Sequence, residues 1–170
     1  MENANPFVNE KTLPSHEIHL VDGKLAEITQ KSIFEILRRI RDPEHPYNLE
    51  QLNIISLEDI GISELQDRTV LCSGGQPIKS IEVVFTPTVP HCSMAGIIGL
   101  SIIYQLLNFT QNHHIIVRIK ENTHSTYQAL NKQLSDKDRV LAAFENEGLV
   151  DVIESCIEGA MQFSGRSCEN

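Results

Sequence analysis

The sequence predicts a small α/β (α+β) domain in which a mixed three-stranded sheet packs against helices. Three observations carry this reading. Apolar residues alternate with polar ones along Ile78–Thr86 and His114–Lys120, the period of a half-buried strand. They recur at helical spacing in Thr29–Ile40 and again after Leu149. An unbroken apolar run, Ala95 to Leu107, lies between the two alternating segments and is too short to span a bilayer.

Taken in order, residues 1 to 26 mix Asn, Pro, Glu, His and Asp without periodicity and read as a flexible leader. Their start has neither a basic nor an apolar signal region, so no secretory signal is expected. The first helix, Thr29–Ile40, turns Ile33, Phe34, Ile36, Leu37 and Ile40 inward and leaves Lys31, Glu35, Arg38 and Arg39 mostly outside. Asp42-Pro43 stops it, because the residue before a proline is pushed out of the helical region. A stiff Asp-Pro-Glu-His-Pro loop and a helical turn near Leu49–Leu52 follow. Strands are expected at Ile54–Ile62 and Ile78–Thr86, joined by an elaborated hairpin tip over Gly61–Pro77. A helix from Ala95 and a strand at His114–Lys120 come next, the strand turning Ile115, Val117 and Ile119 to one face. Ser135 or Asp136 should cap a helix to Asn146 that buries Val140, Leu141 and Phe144. Gly148 should break it before Leu149–Phe163, whose inward residues are Leu149, Val152, Ile153, Cys156 and Ile157. Ser164–Asn170 reads as a polar tail, leaving one domain over residues 27–163.

The 170 residues are enough to bury a core, and aromatics at 5% with no Trp make it aliphatic. A formal charge of −9 argues against non-specific nucleic-acid binding and against an anionic membrane surface. Proteins with basic patches stay open as partners. Cys72, Cys92, Cys156 and Cys168 form no CxxC pair, so reduced thiols are the default.

Cys92 is the leading candidate for chemistry. It is expected in the first turn of the buried helix, where unpaired N–H groups and the helix dipole favour the thiolate. The competing reading is a buried core cysteine. His91 is adjacent, but neighbours in sequence seldom point the same way. A base or co-ligand would come from Asp42, Glu44 or His45, or from His124. Each also has a structural reading: His45 bracing a turn, Asp42 capping the first helix's end, His124 bonding a loop carbonyl. A metal site of Cys92, His45, His124 and a carboxylate such as Glu44 has donors suited to iron or zinc, yet no short ligand spacing appears. No G-x-S-x-G, P-loop or dinucleotide fingerprint is present. His113-His114 reads as a loop pair. The charge-dense run from Asn131 to Val140, with Lys132, Asp136 and Arg139, fits a solvated helix face or a partner surface.

Several blocks resemble the MIP-eighteen family, the FSCA-domain subunits of the cytosolic iron–sulfur assembly targeting complex. They are Asp42-Pro43-Glu44-His45-Pro46, Thr86 to Met94, Ile98-Gly99-Leu100-Ser101-Ile102, and Asn131 to Val140. They occur in the family's order between about Lys31 and Ala160, and the leader resembles the general-client branch. The resemblance implies an FSCA-like fold and an adaptor, not an enzyme, that joins a WD-repeat and a HEAT-repeat subunit. It implies cluster transfer from an iron-only-hydrogenase-like carrier to apo iron–sulfur client proteins in the cytoplasm, with the nucleus as a second location and a link to chromosome segregation. A homodimer is implied too, as is a transient iron–sulfur cluster or iron in place of a resident cofactor. The family's reactive cysteine falls on Cys92 and its acidic-histidine loop on Asp42, Glu44 and His45; His124 completes a set of transient ligands. Asp42, His91, Asn131, Lys132, Asp136 and Arg139 are then expected to meet partners. This chain departs from the family in three places. Its hairpin between Ile60 and Ile78 is longer, Thr126-Tyr127 replaces a usual Ser-Glu, and Gly96 replaces a usual Thr. The alternatives are a cysteine-dependent hydrolase or transferase with His45 or His124 as base, and a pure scaffold.

Overall fold

A computed structural model describes residues 6–64 and 79–160. The elements are β1 (Leu20–Val21), β2 (Lys24–Leu25), α1 (Gln30–Leu37), a 3₁₀ turn (Leu57–Asp59), β3 (Ile60–Glu64), β4 (Lys79–Phe85), α2 (Ala95–Phe109), β5 (His113–Ile119), α3 (Tyr127–Ser135), α4 (Lys137–Phe144) and α5 (Glu147–Ile157). Strands β3, β4 and β5 form the expected mixed sheet in the order β3-β4-β5. β4 runs antiparallel to β3, with Ile60 opposite Val83, and parallel to β5, with Ile81 opposite Ile115. The parallel pair needs a crossover, and α2 supplies it.

Ile81, Val83 and Phe85 share the inner face of β4, in register with Ile115, Val117 and Ile119 of β5. Against that layer lie the fully buried Ile33, Ile36 and Leu37 of α1 and Ile98, Ile102 and Leu106 of α2. The outer face carries the Arg118–Glu82 ion pair. Gln105 of α2 donates through Nε2 to the Ile36 carbonyl of α1 at 3.2 Å, so the apolar helix reaches its neighbour by one polar contact. A Cβ on Gly99 would lie 2.7 Å from a Leu134 methyl carbon, so this glycine sets how closely α3 approaches α2.

Several local expectations change. Residues 54–59 do not begin a strand. Ser56 donates from its amide at 2.9 Å and its hydroxyl at 2.6 Å to Asp59 Oδ2, which curls the backbone into a 3₁₀ turn, and β3 starts only at Ile60. Helix α3 is a further helix, holding the first part of the charge-dense run. Asn131 clasps the rim of the sheet, accepting from Ile119 N at 2.7 Å and donating to Ile119 O at 3.0 Å. Asp136 caps α4 through Arg139 N, as expected, but the break before α5 belongs to Asn146, which caps Leu149 N at 3.2 Å. Gly148 sits inside the first turn of α5. Leu141 (58% exposed) and Val152 (38%) face outward instead of into the core.

Residues 6–26, read from composition as a leader, contain the β1–β2 hairpin, whose Asp22-Gly23 turn has positive φ at both positions. Residues 13–16 lie along α1, held by Glu35, Arg38 and Glu50, three charged side chains that are buried together. Sequence periodicity had placed Glu35 and Arg38 on the outer face of α1. The tip of the 61–77 hairpin, Cys72, Cys168 and the 164–170 tail lie outside the described residues, as does the last part of the helix expected to reach Phe163. The arms of the hairpin are described and pair from Ile60–Val83 to Glu64–Lys79.

Candidate functional site

Three loops meet at the N-terminal end of α2. The first, after α1, is shaped by Asp42. Its buried carboxylate accepts from Glu44 N at 2.8 Å and His45 N at 2.9 Å, and lies 3.1 Å from His45 Nδ1. Asp42 therefore organises its own loop and does not cap α1, which ends at Arg38 bonded back to Phe34 O. Pro43 and Pro46 stiffen that loop by fixing φ.

The second loop carries Cys92. It lies in a turn before α2, whose first residue is Ala95, so the cysteine precedes the helix and does not occupy its first turn. The expected backbone donors are present: the amides of Met94 and Ala95 point at the sulfur and favour its thiolate. They are outweighed. Burial pushes the Cys92 thiol above its ordinary value, and the Glu44 and Asp42 carboxylates add repulsion in the same direction. The expected lowered pKa is thus corrected to a raised one. The helix-terminus argument omitted that the thiol is only 5% exposed and faces two acids.

The third loop, between β5 and α3, braces the second. His124 is buried; its Nε2 meets the Cys92 carbonyl at 3.0 Å and its Nδ1 accepts from Thr126 N at 3.2 Å. That pattern makes Nε2 the donor and Nδ1 the acceptor of the ring. Ser125 N donates to Pro90 O at 2.8 Å, and His91 Nδ1 lies 3.1 Å from Ser125 Oγ. On the other side, Ser93 Oγ donates to Glu44 Oε1 at 3.0 Å, tying the cysteine turn to the acidic loop.

The structure therefore gathers Asp42, Glu44, His45, His91, Cys92 and His124 at one corner. Among the described residues, however, no group of three or more His, Cys, Asp or Glu side chains is placed to hold a metal ion. His124 touches the cysteine through its main chain, with both ring nitrogens engaged. Cys92 and Glu44 remain at this corner as a buried thiol and a carboxylate that acts on it. Asn131 serves β5, while Lys132, Asp136 and Arg139 are exposed at the α3–α4 corner. Ser93, Ser125 and Thr126 were missed by sequence reasoning. Each is a small hydroxyl residue within two positions of a singled-out histidine or cysteine, and that proximity was the available signal.

Cys156 is a second buried thiol. Burial raises its pKa, and Asp42 acts on it as well. No helix among the described residues is long and apolar enough to cross a membrane.

Fold and site together define a class: an α+β domain whose crossover helix is preceded by a shielded cysteine, braced by an acidic loop and a histidine loop. No protein-family profile matches the chain. Individual proteins do. It is 40% identical to cytosolic iron-sulfur assembly component 2B of Mus musculus, over 92% of this chain and 91% of that protein. It is 39% identical to MIP18 family protein galla-2 of Drosophila melanogaster, over 92% and 95%. Cytosolic iron-sulfur assembly component 2B of Dictyostelium discoideum is 36% identical over 92% and 91%. The chain belongs to the MIP18 family.

Proposed function

We propose that this chain works in cytosolic iron–sulfur protein assembly as a non-enzymatic adaptor, and that Cys92 is the thiol that contacts the cargo. The observation that carries the reading is near-full-length similarity to relatives named as cytosolic iron–sulfur assembly components, in a chain whose braced cysteine turn is intact. Thiolate sulfur is the ligand iron–sulfur clusters use, and a cluster normally needs four such ligands. One shielded cysteine per chain at this corner therefore calls for donors from a partner, a client or a second copy of the chain. The partners in this reading are a WD-repeat subunit, a HEAT-repeat subunit, an iron-only-hydrogenase-like carrier and apo-clients in the cytoplasm and nucleus.

The geometry supports cargo handling over a cysteine hydrolase. A hydrolase thiol is activated by a neighbouring base or cation. Here burial first, and then the Glu44 and Asp42 carboxylates, disfavour the Cys92 thiolate until something offsets them. An incoming cationic metal centre would do that.

The test is complementation of cells depleted of this chain with wild type or Cys92→Ala, reading radio-iron incorporation into a cytosolic iron–sulfur enzyme. Loss of incorporation, with the variant at normal abundance and still co-purifying its partners, is the expected result. Full incorporation in the variant removes Cys92 from the mechanism. Turnover of a small electrophile by the isolated protein would instead favour the hydrolase.

A further inference from the structure

A second binding feature lies in the N-terminal segment. Glu35, Arg38 and Glu50 have side chains 0, 7 and 8% exposed, and bond to one another at 2.7 Å. Burying three charges is costly unless their remaining donors and acceptors are used. Here they are used on main-chain groups of residues 13–16. Leu13 N donates to Glu50 Oε1 at 2.7 Å and His16 N to Glu35 Oε1 at 3.0 Å. Arg38 donates to Leu13 O and, at 3.3 Å, to Pro14 O. Leu13, Pro14, Ser15 and His16 are all exposed, and Ser15 adds a side-chain bond, its Oγ donating to Glu35 Oε2 at 3.3 Å and accepting from Arg39 at 3.4 Å.

We propose that Glu35, Arg38 and Glu50 form a clamp that binds an extended polypeptide through its backbone, and that residues 13–16 are its resident, exchangeable occupant. The chemistry of a ligand is written by the segment already seated: two amides and two carbonyls at fixed spacing, with almost no demand on side chains. Residues 13–16 are held by hydrogen bonds and bury little apolar surface, whereas Val8 and Ile18 on either side pack against the core, so sequence tolerance is confined to the clamp positions. Another extended segment with free amides at the same spacing makes equivalent bonds. The clamp is thus a sequence-tolerant peptide site, kept filled in the resting chain.

The test uses the full chain with Leu13→Pro and His16→Pro, which remove both strap amides and leave the clamp untouched. The probe is a fluorescent synthetic peptide with the sequence of residues 6–19. Saturable binding to the double variant, weaker by about tenfold or more with wild type, is expected. A peptide with Leu13, Ser15 and His16 permuted around a fixed Pro14 should bind within about threefold, and one N-methylated at the positions of Leu13 and His16 should lose about tenfold or more. Absence of binding to a folded double variant, or indifference to N-methylation, overturns the proposal. Should the double variant not fold, hydrogen exchange on wild type decides. Leu13 and His16 amides exchanging faster than those of Val83 and Val117, by local opening, support exchangeability; exchange only with global unfolding refutes it.

Discussion

His124 holds Cys92 by its backbone: Nε2 donates to the cysteine carbonyl at 3.0 Å while Nδ1 accepts the Thr126 amide at 3.2 Å. A histidine and a cysteine are thereby joined without the ring meeting the sulfur in that bond. Replacing His124 with Ala leaves the buried Cys92 carbonyl without its partner, at a cost of about 1–3 kcal/mol. Urea unfolding of His124→Ala should show that loss. An unchanged midpoint would mean the brace carries no stability.

Glu44 is expected to govern the reactivity of Cys92. Glu44→Gln keeps an acceptor for Ser93 but removes a charge that disfavours the thiolate. The pH profile of Cys92 alkylation should move to lower pH, with faster reaction near neutrality. A profile that stays put would show that Glu44 does not act on the thiol.

Alkaline pH should weaken the fold. Both described thiols have folded pKa values raised above the ordinary 9.0 by burial. Below the unfolded value both states are protonated and the contribution is intact. Above it the unfolded chain loses protons that the folded chain keeps, so stability falls as pH rises through the folded values. Unfolding midpoints should be level between about pH 7 and 8 and decline beyond about pH 9, with the decline reduced in Cys92→Ala/Cys156→Ala.

Gly99→Ala should cost about 1–3 kcal/mol, because the new methyl collides with Leu134. Leu134→Ala in the same chain removes the collision. The two changes together should therefore cost less than the sum of the singles, by a margin a double-mutant cycle resolves. Simple additivity would show that α3 shifts freely.

Much of the fold was legible because it rests on periodicity. The alternation at Ile81, Val83 and Phe85 and the unbroken apolar run of α2 mark a central strand and a buried crossover directly. What escaped depended on partners far away in sequence. Glu35 and Arg38 look like an outer face until Glu50 and residues 13–16 are brought to them. Leu141 and Val152 fit helical stripes whose inner face is set by neighbours that sequence does not announce. At the site, Cys92, Asp42, Glu44 and His124 could each be singled out by residue type. The sign of the thiol's shift could not, since it is decided by how deeply the turn sinks between two other loops. Ser56 and Asp59 were readable in principle as a local capping pair, but the apolar Ile54-Ile55 outweighed them in the strand reading.

The shield around Cys92 is assembled from residues 42–44, 92–95 and 124–126, which leave the ribosome in that order. A chain that has not yet folded lacks this burial and these carboxylates, so its thiol should ionise like an ordinary cysteine. Its protection is acquired late in synthesis, so oxidative damage at this position should fall on newly made chains and spare the mature pool.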